Sequence, residues 1–521
     1  MAATFGLDFG TTNSLVAFVA PDPETKEPAP RMLLEAGKPH PSVVWYPGAA
    51  PVAGRRAKEQ LKELGLGVFG DVVRSPKMYL GSPTGLYVGG VTRQAVDVVA
   101  DLLRFLREDA LSRGLRGNPF ESAVVSIPVG MRGPARAELR QAAQHAGINV
   151  HQFVHEPLAA LYGYLRSQAS FRQAVSALER RLVLVFDWGG GTLDLTLCQV
   201  RNGALLQVFN SGDDKVGGDQ FDLRLQRLVR DKHEARHPGV DWLRIQPSAD
   251  ARILEACEDA KIALSSRGRR ALVVPDILAT AGPEKDLRME ITRDELEGIT
   301  RDLITRGLSR IGELLDIPRV SKGGIEFCLA TGGMVSMPAV QEGLREIFGL
   351  NRLRLVEDAA TLIAQGTAWI AYDGVELELS KPLELLHADN TYVEVIPAGT
   401  HLPVRGSAVQ HHIDMYCVDP SDGFAKFLFA RPEWPGHAAR GDSRTPYAHL
   451  TLPVDPHSRP LLERLEVEVT IDPDLIATVR ATSKMREEGR LVPIHDLEFG
   501  LSVTSMMGSE GAKKGGTKHH A

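Results

Sequence analysis

The chain has 521 residues, more than one compact domain usually contains. With 43% hydrophobic and 24% charged residues, its composition is that of a soluble globular protein. The net charge of -6 gives no electrostatic basis for binding nucleic acid or an anionic membrane. No apolar run is long enough to span a membrane, no signal peptide is visible, and four scattered cysteines suit a reducing compartment, so the cytoplasm is the expected location.

Strand-like and helical segments alternate along most of the chain. Apolar runs with glycine turns predict strands within Thr4–Val19, Leu182–Val200 and Ile325–Ala330. Amphipathic or capped segments predict helices at Ala95–Arg113, Pro134–Ala146, Phe221–Arg236, Ala249–Ser265 and Thr292–Leu315. This alternation predicts an α/β architecture.

The pattern changes near residue 375. Short alternating stretches such as "YVEVIP", "HIDMYCV" and "LEVEVTI" are separated by Pro, Gly, Asp and His turns, without a long helical period. They predict a second, smaller and mostly β domain. The final stretch, Gly508–Ala521, is polar and glycine-rich, which predicts a disordered tail.

Two segments share the pattern of apolar strand, aspartate, glycine turn, threonine and second strand. The first, "GLDFGTTNSLVAFV", contains Asp8, and the second, "VLVFDWGGGTLDLTL", contains Asp187. Glycine lets backbone N–H groups approach phosphate oxygens, and threonine hydroxyls add donors. Because a carboxylate beside phosphate needs a cation between them, the two segments predict a polyphosphate site with Mg²⁺ held through its waters.

Each of these features alone has an ordinary explanation. A glycine turn beside an aspartate is usually only a turn, and Gly332-Gly333 in "LATGGMVSMPAV" also fits a common strand-to-helix connection. A glycine pair there would also leave room for a nucleoside against the backbone. The repetition of the first pattern favours the phosphate-binding interpretation.

The three loops, in this order, resemble those of the actin-fold ATPase superfamily. Further segments resemble the seventy-kilodalton heat-shock chaperone family (heat shock protein 70-like): "FGLDFGTTNS", "AVVSIPVGMRGPAR", "VHEPLAALYGY", "KVGGDQFD" and "EACEDAKIALSS". The resemblance is strong over residues 4–370 and weaker over 375–503. It implies a two-lobed actin-like ATPase domain at 1–372, a linker at 373–382, a β-sandwich substrate-binding-like domain at 383–505 and a disordered tail at 506–521.

The resemblance also implies a role for each matching residue. Those expected at the catalytic centre are Asp8, Lys77, Glu156, Asp187, Thr192 and Asp194, with Asp8, Glu156 and Asp187 holding Mg²⁺ through water. Those expected to bind ATP or ADP are Gly10, Thr11, Thr12, Asn13, Gly189, Gly190, Gly191, Thr192, Gly217, Gly218, Glu258, Lys261, Ser265, Gly332, Gly333 and Ser336. From its residue type alone, a loop lysine such as Lys77 is usually solvated surface.

Four departures from the family pattern carry expectations of their own. The family usually has an arginine at Ser336 that stacks on adenine, so weaker adenine binding is expected. Gln152 and His155 replace an arginine and an asparagine on the surface that docks J-domain co-chaperones. Glu376 and Glu378 interrupt the usual apolar linker and are expected to resist its burial. Only a short tail follows residue 505, so a member without the helical lid is expected.

The resemblance therefore implies a slow ATPase and chaperone-like protein that couples nucleotide state to binding of extended polypeptide segments. A J-domain co-chaperone and a nucleotide-exchange factor are the implied partners. The alternative is an actin-fold ATPase switch whose β domain binds one dedicated protein partner. A small-molecule kinase on the same fold is the third class, against which Lys77 and the β domain argue.

Overall fold

The computed structural model describes residues 5–48, 50–60, 67–113, 120–246, 249–280, 282–404, 408–436, 438–439, 441–485, 489–504 and 506. The tail predicted at 506–521 therefore lies, except for Met506, outside the described residues. Among the described helices, none is both long and apolar enough to cross a membrane.

The first lobe of the larger domain is built around a sheet with strand order β12-β11-β1-β2-β3, with β4 beside β2. Its elements are β1 (Phe5–Phe9), β2 (Asn13–Pro21), β3 (Pro28–Leu33), β4 (His40–Pro41), β5 (Val43–Trp45), β6 (Val52–Ala53), α1 (Arg55–Lys58), β7 (Gly67–Phe69), β8 (Val72–Arg74), β9 (Leu86–Val88), β10 (Val91–Arg93), α2 (Ala95–Ser112), β11 (Ser122–Ile127), α3 (Gly133–His145), β12 (Asn149–His155), α4 (Glu156–Arg166) and α5 (Phe171–Ala177). A smaller sheet, β6-β5-β8-β7, and the hairpin β9-β10 extend this lobe.

The second lobe has a sheet that contains the order β19-β18-β13-β14-β15. Its elements are β13 (Leu182–Trp188), β14 (Leu193–Arg201), β15 (Ala204–Asp213), α6 (Gly218–Arg236), α7 (Ala249–Ser266), β16 (Arg269–Val274), β17 (Leu287–Thr292), α8 (Arg293–Asp316), β18 (Ile325–Thr331), α9 (Pro338–Phe348) and β19 (Leu353–Leu355). The last helix of the larger domain, α10 (Leu362–Asp373), returns to the first lobe and packs on β1 and β2. The helices predicted from the sequence are confirmed, and Thr292 and Glu295 form the expected capping box of α8.

The C-terminal part is a sandwich of two sheets, with strand orders β22-β21-β24-β25 and β23-β26-β27-β28. Its elements are β20 (Glu376–Leu379), β21 (Leu383–Leu386), β22 (Tyr392–Ile396), β23 (Val409–Tyr416), β24 (Phe424–Pro432), β25 (Arg444–Pro453), β26 (Arg464–Ile471), β27 (Ala477–Ser483), β28 (Gly489–Ile494) and β29 (Phe499–Ser502). The alternating pattern of β26, with Leu465, Val467 and Val469 buried, supplies one face of the core. The predicted α/β fold with a β-sandwich is confirmed.

Two helices cross where the lobes meet. Helix α10, from the end of the larger domain, packs on α4 at Gly163 and Gly366. A Cβ on Gly366 would lie 1.8 Å from the carbonyl oxygen of Ala159. The crossing is therefore close enough that only glycine fits, which brings the two backbones into contact.

The predicted linker is a strand of the second-lobe sheet. Strand β29 pairs with β15, and β20 pairs with β29, so the sheet continues as β15-β29-β20. Leu377 and Leu379 are buried, Glu378 is half-buried and Glu376 is exposed. The expectation that the two glutamates resist burial of the linker is wrong, because alternate residues of a strand face opposite sides.

The first strand of that extension, β29, comes from the C-terminal end of the predicted β-sandwich domain, 383–505. Phe499, the first residue of β29, is fully buried, and its ring lies 5.1 Å from that of His155. Gln152 is also buried and donates from Nε2 to the Val375 carbonyl oxygen at 2.7 Å. Gln152 and His155, which were expected on the surface that docks J-domain co-chaperones, are thus covered here by the linker and by β29. The domain boundaries at 372, 382 and 505 stay a prediction.

Candidate functional site

The two aspartate–glycine hairpins face each other across one cavity. The β1-β2 and β13-β14 pairs are antiparallel hairpins, as their sequences predict. A Cβ built on Gly190 would lie 3.0 Å from Thr12 Oγ1, and one on Gly191 would lie 3.7 Å from Thr11 Cγ2. Thr12 Oγ1 is buried without a hydrogen-bond partner within the described structure. Two glycine tips this close can hold a phosphate chain between them.

A cavity of about 1100 Å³ collects almost every residue that the sequence singled out. The predicted residues that line it are Asp8, Gly10, Thr11, Thr12, Asn13, Lys77, Glu156, Asp187, Gly189, Gly190, Gly191, Thr192, Asp194, Glu258, Lys261, Ser265, Gly332, Gly333 and Ser336. They come from both lobes, so the cavity is the cleft between them. Gly217 and Gly218 do not line the cavity formed by the described residues.

Gly217 and Gly218 instead support the second hairpin from behind. A Cβ on Gly217 would lie 2.3 Å from the carbonyl carbon and oxygen of Gly191. The Gly218 amide donates to the Gly189 carbonyl oxygen at 3.1 Å. The tight approach leaves space for backbone only, so in the structure these two glycines pack on the hairpin, and their predicted contact with a nucleotide stays a prediction.

Four carboxylates meet at the floor of the cleft. Asp8 stands near the end of β1, Glu156 begins α4, and Asp187 and Asp194 flank the turn of the second hairpin. Burial and the neighbouring Glu156 raise the pKa of Asp8 to about 6. The same two causes raise the pKa of Asp194 to about 6 and raise that of Asp187 well above its usual value. Burial and mutual repulsion therefore destabilise the ionised carboxylates, and a bound cation would offset that repulsion.

Lys77 is buried in the cleft rather than solvated. It lies in the short 3-10 turn Pro76–Tyr79 and is 8% exposed. Its Nζ donates to the Phe9 carbonyl oxygen at 2.5 Å and lies 3.4 Å from Glu156 Oε1. One lysine beside four carboxylates leaves a net negative site, and hard oxygen ligands in this arrangement fit a hydrated divalent cation.

The opposite wall of the cleft carries the helix predicted to contact a nucleoside. Glu258, Lys261 and Ser265 share one face of α7 and line the cavity. Glu258 Oε2 pairs with Lys58 Nζ of the other lobe at 2.9 Å. Lys261 Nζ pairs with Asp222 Oδ2 at 2.7 Å. Both charged groups therefore already have protein partners and would offer a ligand their remaining donor and acceptor positions.

Gly332 is required at the third loop for two reasons. Its φ of +87° is rarely adopted by residues with a side chain. A Cβ there would also lie 2.4 Å from the Trp188 carbonyl oxygen and 2.5 Å from Asp187 Oδ1. The loop is thereby pressed against the second hairpin, which shapes one end of the cavity.

Some residues at the site were not found from the sequence. Ser126 Oγ donates to Asp8 Oδ1 at 2.8 Å, across the parallel pairing of β11 with β1. No local sequence pattern predicts a contact between two residues so far apart in the chain. Asp219 lines the cavity and Asp222 pairs with Lys261. Both follow the glycine pair in "KVGGDQFD", where two acids on one helical turn were a usable signal.

A model of the Hsp70 protein family matches residues 85–386 of the chain. The chain belongs to the Hsp70 family. The match includes Glu156, the second hairpin and the Gly332 loop, and it ends inside the β-sandwich. The larger domain is therefore an actin-like ATPase domain in its fold, joined to a β-sandwich.

Chaperone proteins named DnaK are similar to this family member over most of its length. The DnaK proteins of Thermosipho africanus (strain TCF52B) and Thermotoga maritima are each 28% identical to it, over 418 and 419 residues that cover 78% of this chain. The chain spans 66% and 67% of those relatives. The DnaK protein of Deinococcus radiodurans is 28% identical over 528 residues, covering 94% of this chain and 78% of the relative.

Proposed function

We propose that the chain binds and hydrolyses ATP and uses the nucleotide state to control binding of extended polypeptide segments by its β domain. Membership of the Hsp70 family supports an ATP-dependent, chaperone-like function. The observation that carries the proposal is the convergence of two glycine hairpins, four carboxylates and Lys77 in one cleft. A glycine-lined slot with donors on both sides suits a triphosphate, and the adjacent α7 face suits its nucleoside.

In this proposal each cleft residue has a separate task. Thr11, Thr12 and the hairpin amides bind phosphate oxygens. Lys77 neutralises charge that spreads over the γ-phosphate and orients the attacking water. Asp194, whose Oδ2 accepts a 2.7 Å hydrogen bond from Thr192 Oγ1, lies beside that water and takes part in positioning it.

Mg²⁺ fits the same residues. Asp8, Glu156 and Asp187 would hold it through water, and the raised pKa of Asp8 marks negative charge that a cation would stabilise. Bound there, the cation would neutralise charge on the β- and γ-phosphates. The protein's own contribution is to keep these three carboxylates fixed, with Ser126 holding Asp8 in orientation.

The proposed coupling is supported by contacts between the β domain and both lobes. Arg136 of α3 is buried and donates from Nε to the Asp474 carbonyl oxygen at 2.8 Å and from Nη2 to the His495 carbonyl oxygen at 2.9 Å. On the second lobe, β15 pairs with β29. A rotation of one lobe against the other would strain one of these contacts. The docked β domain would therefore favour the lobe arrangement in which both contacts form, and that arrangement would favour docking of the β domain.

Co-chaperones, exchange factors and a cytoplasmic location are further parts of the proposal. The DnaK relatives are chaperones by name, which favours polypeptide clients over one dedicated partner. The slow rate of hydrolysis also belongs to the proposal. Weaker adenine binding is expected because Ser336 lines the cavity where the family pattern has an arginine.

The first experiment measures the affinity for a labelled, apolar, extended peptide by fluorescence anisotropy, with ATP·Mg and then with ADP·Mg. We expect tighter peptide binding with ADP. ATP hydrolysis is measured in parallel. Peptide binding that is absent in both states, with intact hydrolysis, would favour the ATPase switch with a dedicated partner.

Lys77→Ala is the variant that tests the cleft. We expect it to bind ATP with little change but to hydrolyse it at least about 10²-fold more slowly, since it removes charge stabilisation at the transition state. Lys285→Ala is the matched control, because Lys285 is a half-buried lysine of the same domain, outside the cleft and paired with Asp276 at 3.4 Å. Equal hydrolysis by wild type and Lys77→Ala would contradict the assigned role.

A further inference from the structure

A buried cluster of charged side chains lies where the β domain meets the second lobe. Lys381, two residues beyond β20, is 1% exposed. Its Nζ forms a 2.6 Å ion pair with Glu498 Oε2. Glu498 Oε1 lies 3.4 Å from Arg431 Nη2 of β24. Lysine and glutamate are rarely buried this completely without a structural reason.

The lysine reaches across the domain boundary. Lys381 Nζ donates to the Val208 carbonyl oxygen of β15 at 3.0 Å, and it lies 5.0 Å from the ring centre of Phe209. Trp434 of the β domain packs on the other side of this boundary, with its ring 5.3 Å from Phe209. A carbonyl oxygen and an aromatic face are both suited to a buried cation.

The direct ion pairs of this cluster leave one cation in excess, although Glu433 also attracts Lys381 at longer range. The cluster has two cations, Lys381 and Arg431, and one buried anion, Glu498. Asp496, which lies 4.0 Å from Arg431, is largely exposed. Two groups of the second lobe therefore add to the stabilisation of the Lys381 ammonium group: the carbonyl oxygen of Val208 and the aromatic face of Phe209. Those two partners exist only while the β domain is docked.

The contacts of Lys381 also depend on the register in which β20 pairs with β29. The Ser380 amide donates to the Glu498 carbonyl oxygen at 3.0 Å, and β20 continues into its pairing with β29. A slip by two residues would move Lys381 by about 7 Å along the strand. Its ammonium group would then be buried away from both Glu498 and Val208, which is strongly unfavourable.

We propose that Lys381, paired with Glu498, is a positioning residue that fixes the docked arrangement and register of the β domain on the second lobe. A purely apolar contact would tolerate several registers, whereas a buried ion pair with a cross-boundary acceptor tolerates one. Docking of the β domain thus supplies the buried Lys381 ammonium group with its remaining acceptor, the Val208 carbonyl oxygen. This goes beyond the proposed ATPase activity, and its test needs no nucleotide.

The test is hydrogen–deuterium exchange on the full-length chain without nucleotide. The reporting amides are those of the β15–β29 pairing, which joins Ala204, Leu205 and Leu206 to Ser502, Leu501 and Gly500, because this pairing crosses the boundary. In Lys381→Met, which leaves Glu498 without its lysine, we expect exchange at these amides to rise at least about tenfold. Lys426→Met is the matched control, since Lys426, near the start of β24, is exposed and pairs with Asp422, which precedes that strand.

A second variant separates register from general stability. Replacing both partners by neutral residues, Lys381→Met with Glu498→Gln, should return exchange to within about threefold of wild type. Both charges of the pair are then removed, and the glutamine oxygen can still accept from Arg431, which keeps Asp496 at 4.0 Å. The proposal is overturned if Lys381→Met exchanges like Lys426→Met. It is also overturned if exchange rises equally in the β16–β17 hairpin, which forms a sheet of its own, since the pair would then serve only general folding.

Discussion

Asp213 illustrates how single charges are held in this protein. It ends β15, and its side chain is 1% exposed. Burial alone would raise its pKa, but hydrogen bonds from Arg306 and Arg310 of α8 outweigh that effect and lower the pKa to about 2. The carboxylate is therefore more stable as an anion in the folded chain than in the unfolded chain.

Asp213→Asn should lower the free energy of unfolding by about 1.5–3 kcal/mol at pH 7, the range for hydrogen bonds to charged groups. The unfolded state binds the extra proton first as pH falls, so the stability due to this carboxylate is complete above about pH 4 and is lost as pH falls toward 2. The difference between wild type and variant should therefore be smaller at pH 3 than at pH 6 in urea unfolding.

Asp302→Asn is the control for this measurement, because Asp302 pairs with Arg224 on the surface and is 67% exposed. Such pairs contribute little. A difference between wild type and Asp213→Asn that stays constant from pH 6 to pH 3 would contradict the assignment of the stabilisation to the Asp213 anion.

At the scale of elements, the crossing of α4 and α10 connects the cleft of the ATPase domain with the linker that follows this domain. Glu156, at the cleft, begins α4, whereas α10 follows the Gly332 loop and leads into the linker. Gly163 and Gly366 let the two backbones touch. A disturbance at this crossing would therefore reach both the carboxylates and the linker strand.

Gly366→Ala should destabilise the chain by about 1–3 kcal/mol or more, because overpacking a close contact forces backbone shifts. Its Cβ would fall 1.8 Å from the Ala159 carbonyl oxygen. Gly312→Ala, on α8 with nothing within 4 Å, should instead be neutral or stabilising by up to about 1 kcal/mol. Thermal unfolding of the two variants tests this, and equal midpoints would rule out a tight crossing.

At the scale of the whole molecule, the cleft is closed by ion pairs that cross between the lobes. Lys58 of α1 pairs with Glu258 of α7 at 2.9 Å, and both are mostly buried. Arg74 lies 3.7 Å from Asp219. These pairs lie on the α7 side of the cleft, so opening the lobes would break them, and under the proposed function they would have to break before a bound nucleotide leaves.

Lys58→Ala should speed release of a fluorescent ADP by about twofold to fivefold, which corresponds to a loss of about 0.5–1 kcal/mol in a partly buried pair. Stopped-flow displacement measures this rate. Arg269→Ala, which breaks a largely exposed pair with Glu290 in the same lobe as α7, should leave it unchanged. A release rate that does not respond to Lys58→Ala would mean that this pair does not limit opening.

Local signals in the sequence were enough for the α/β fold, the helices and the two glycine hairpins. Periodicity and turn residues act over a few neighbouring positions, and "GLDFGTTNS" and "FDWGGGTLD" each carry a whole strand–turn–strand unit. Their repetition was sufficient to predict a phosphate cleft with carboxylates beside it.

Only the tertiary structure decided which distant residues complete those units. Ser126 meets Asp8 through a parallel strand pairing, Lys77 is buried by the packing of a short turn, and His155 is covered by Phe499. Parallel pairings and domain docking join segments hundreds of residues apart, and no local propensity specifies them. The burial of Lys381 against Val208 likewise exists only once the β domain lies on the second lobe.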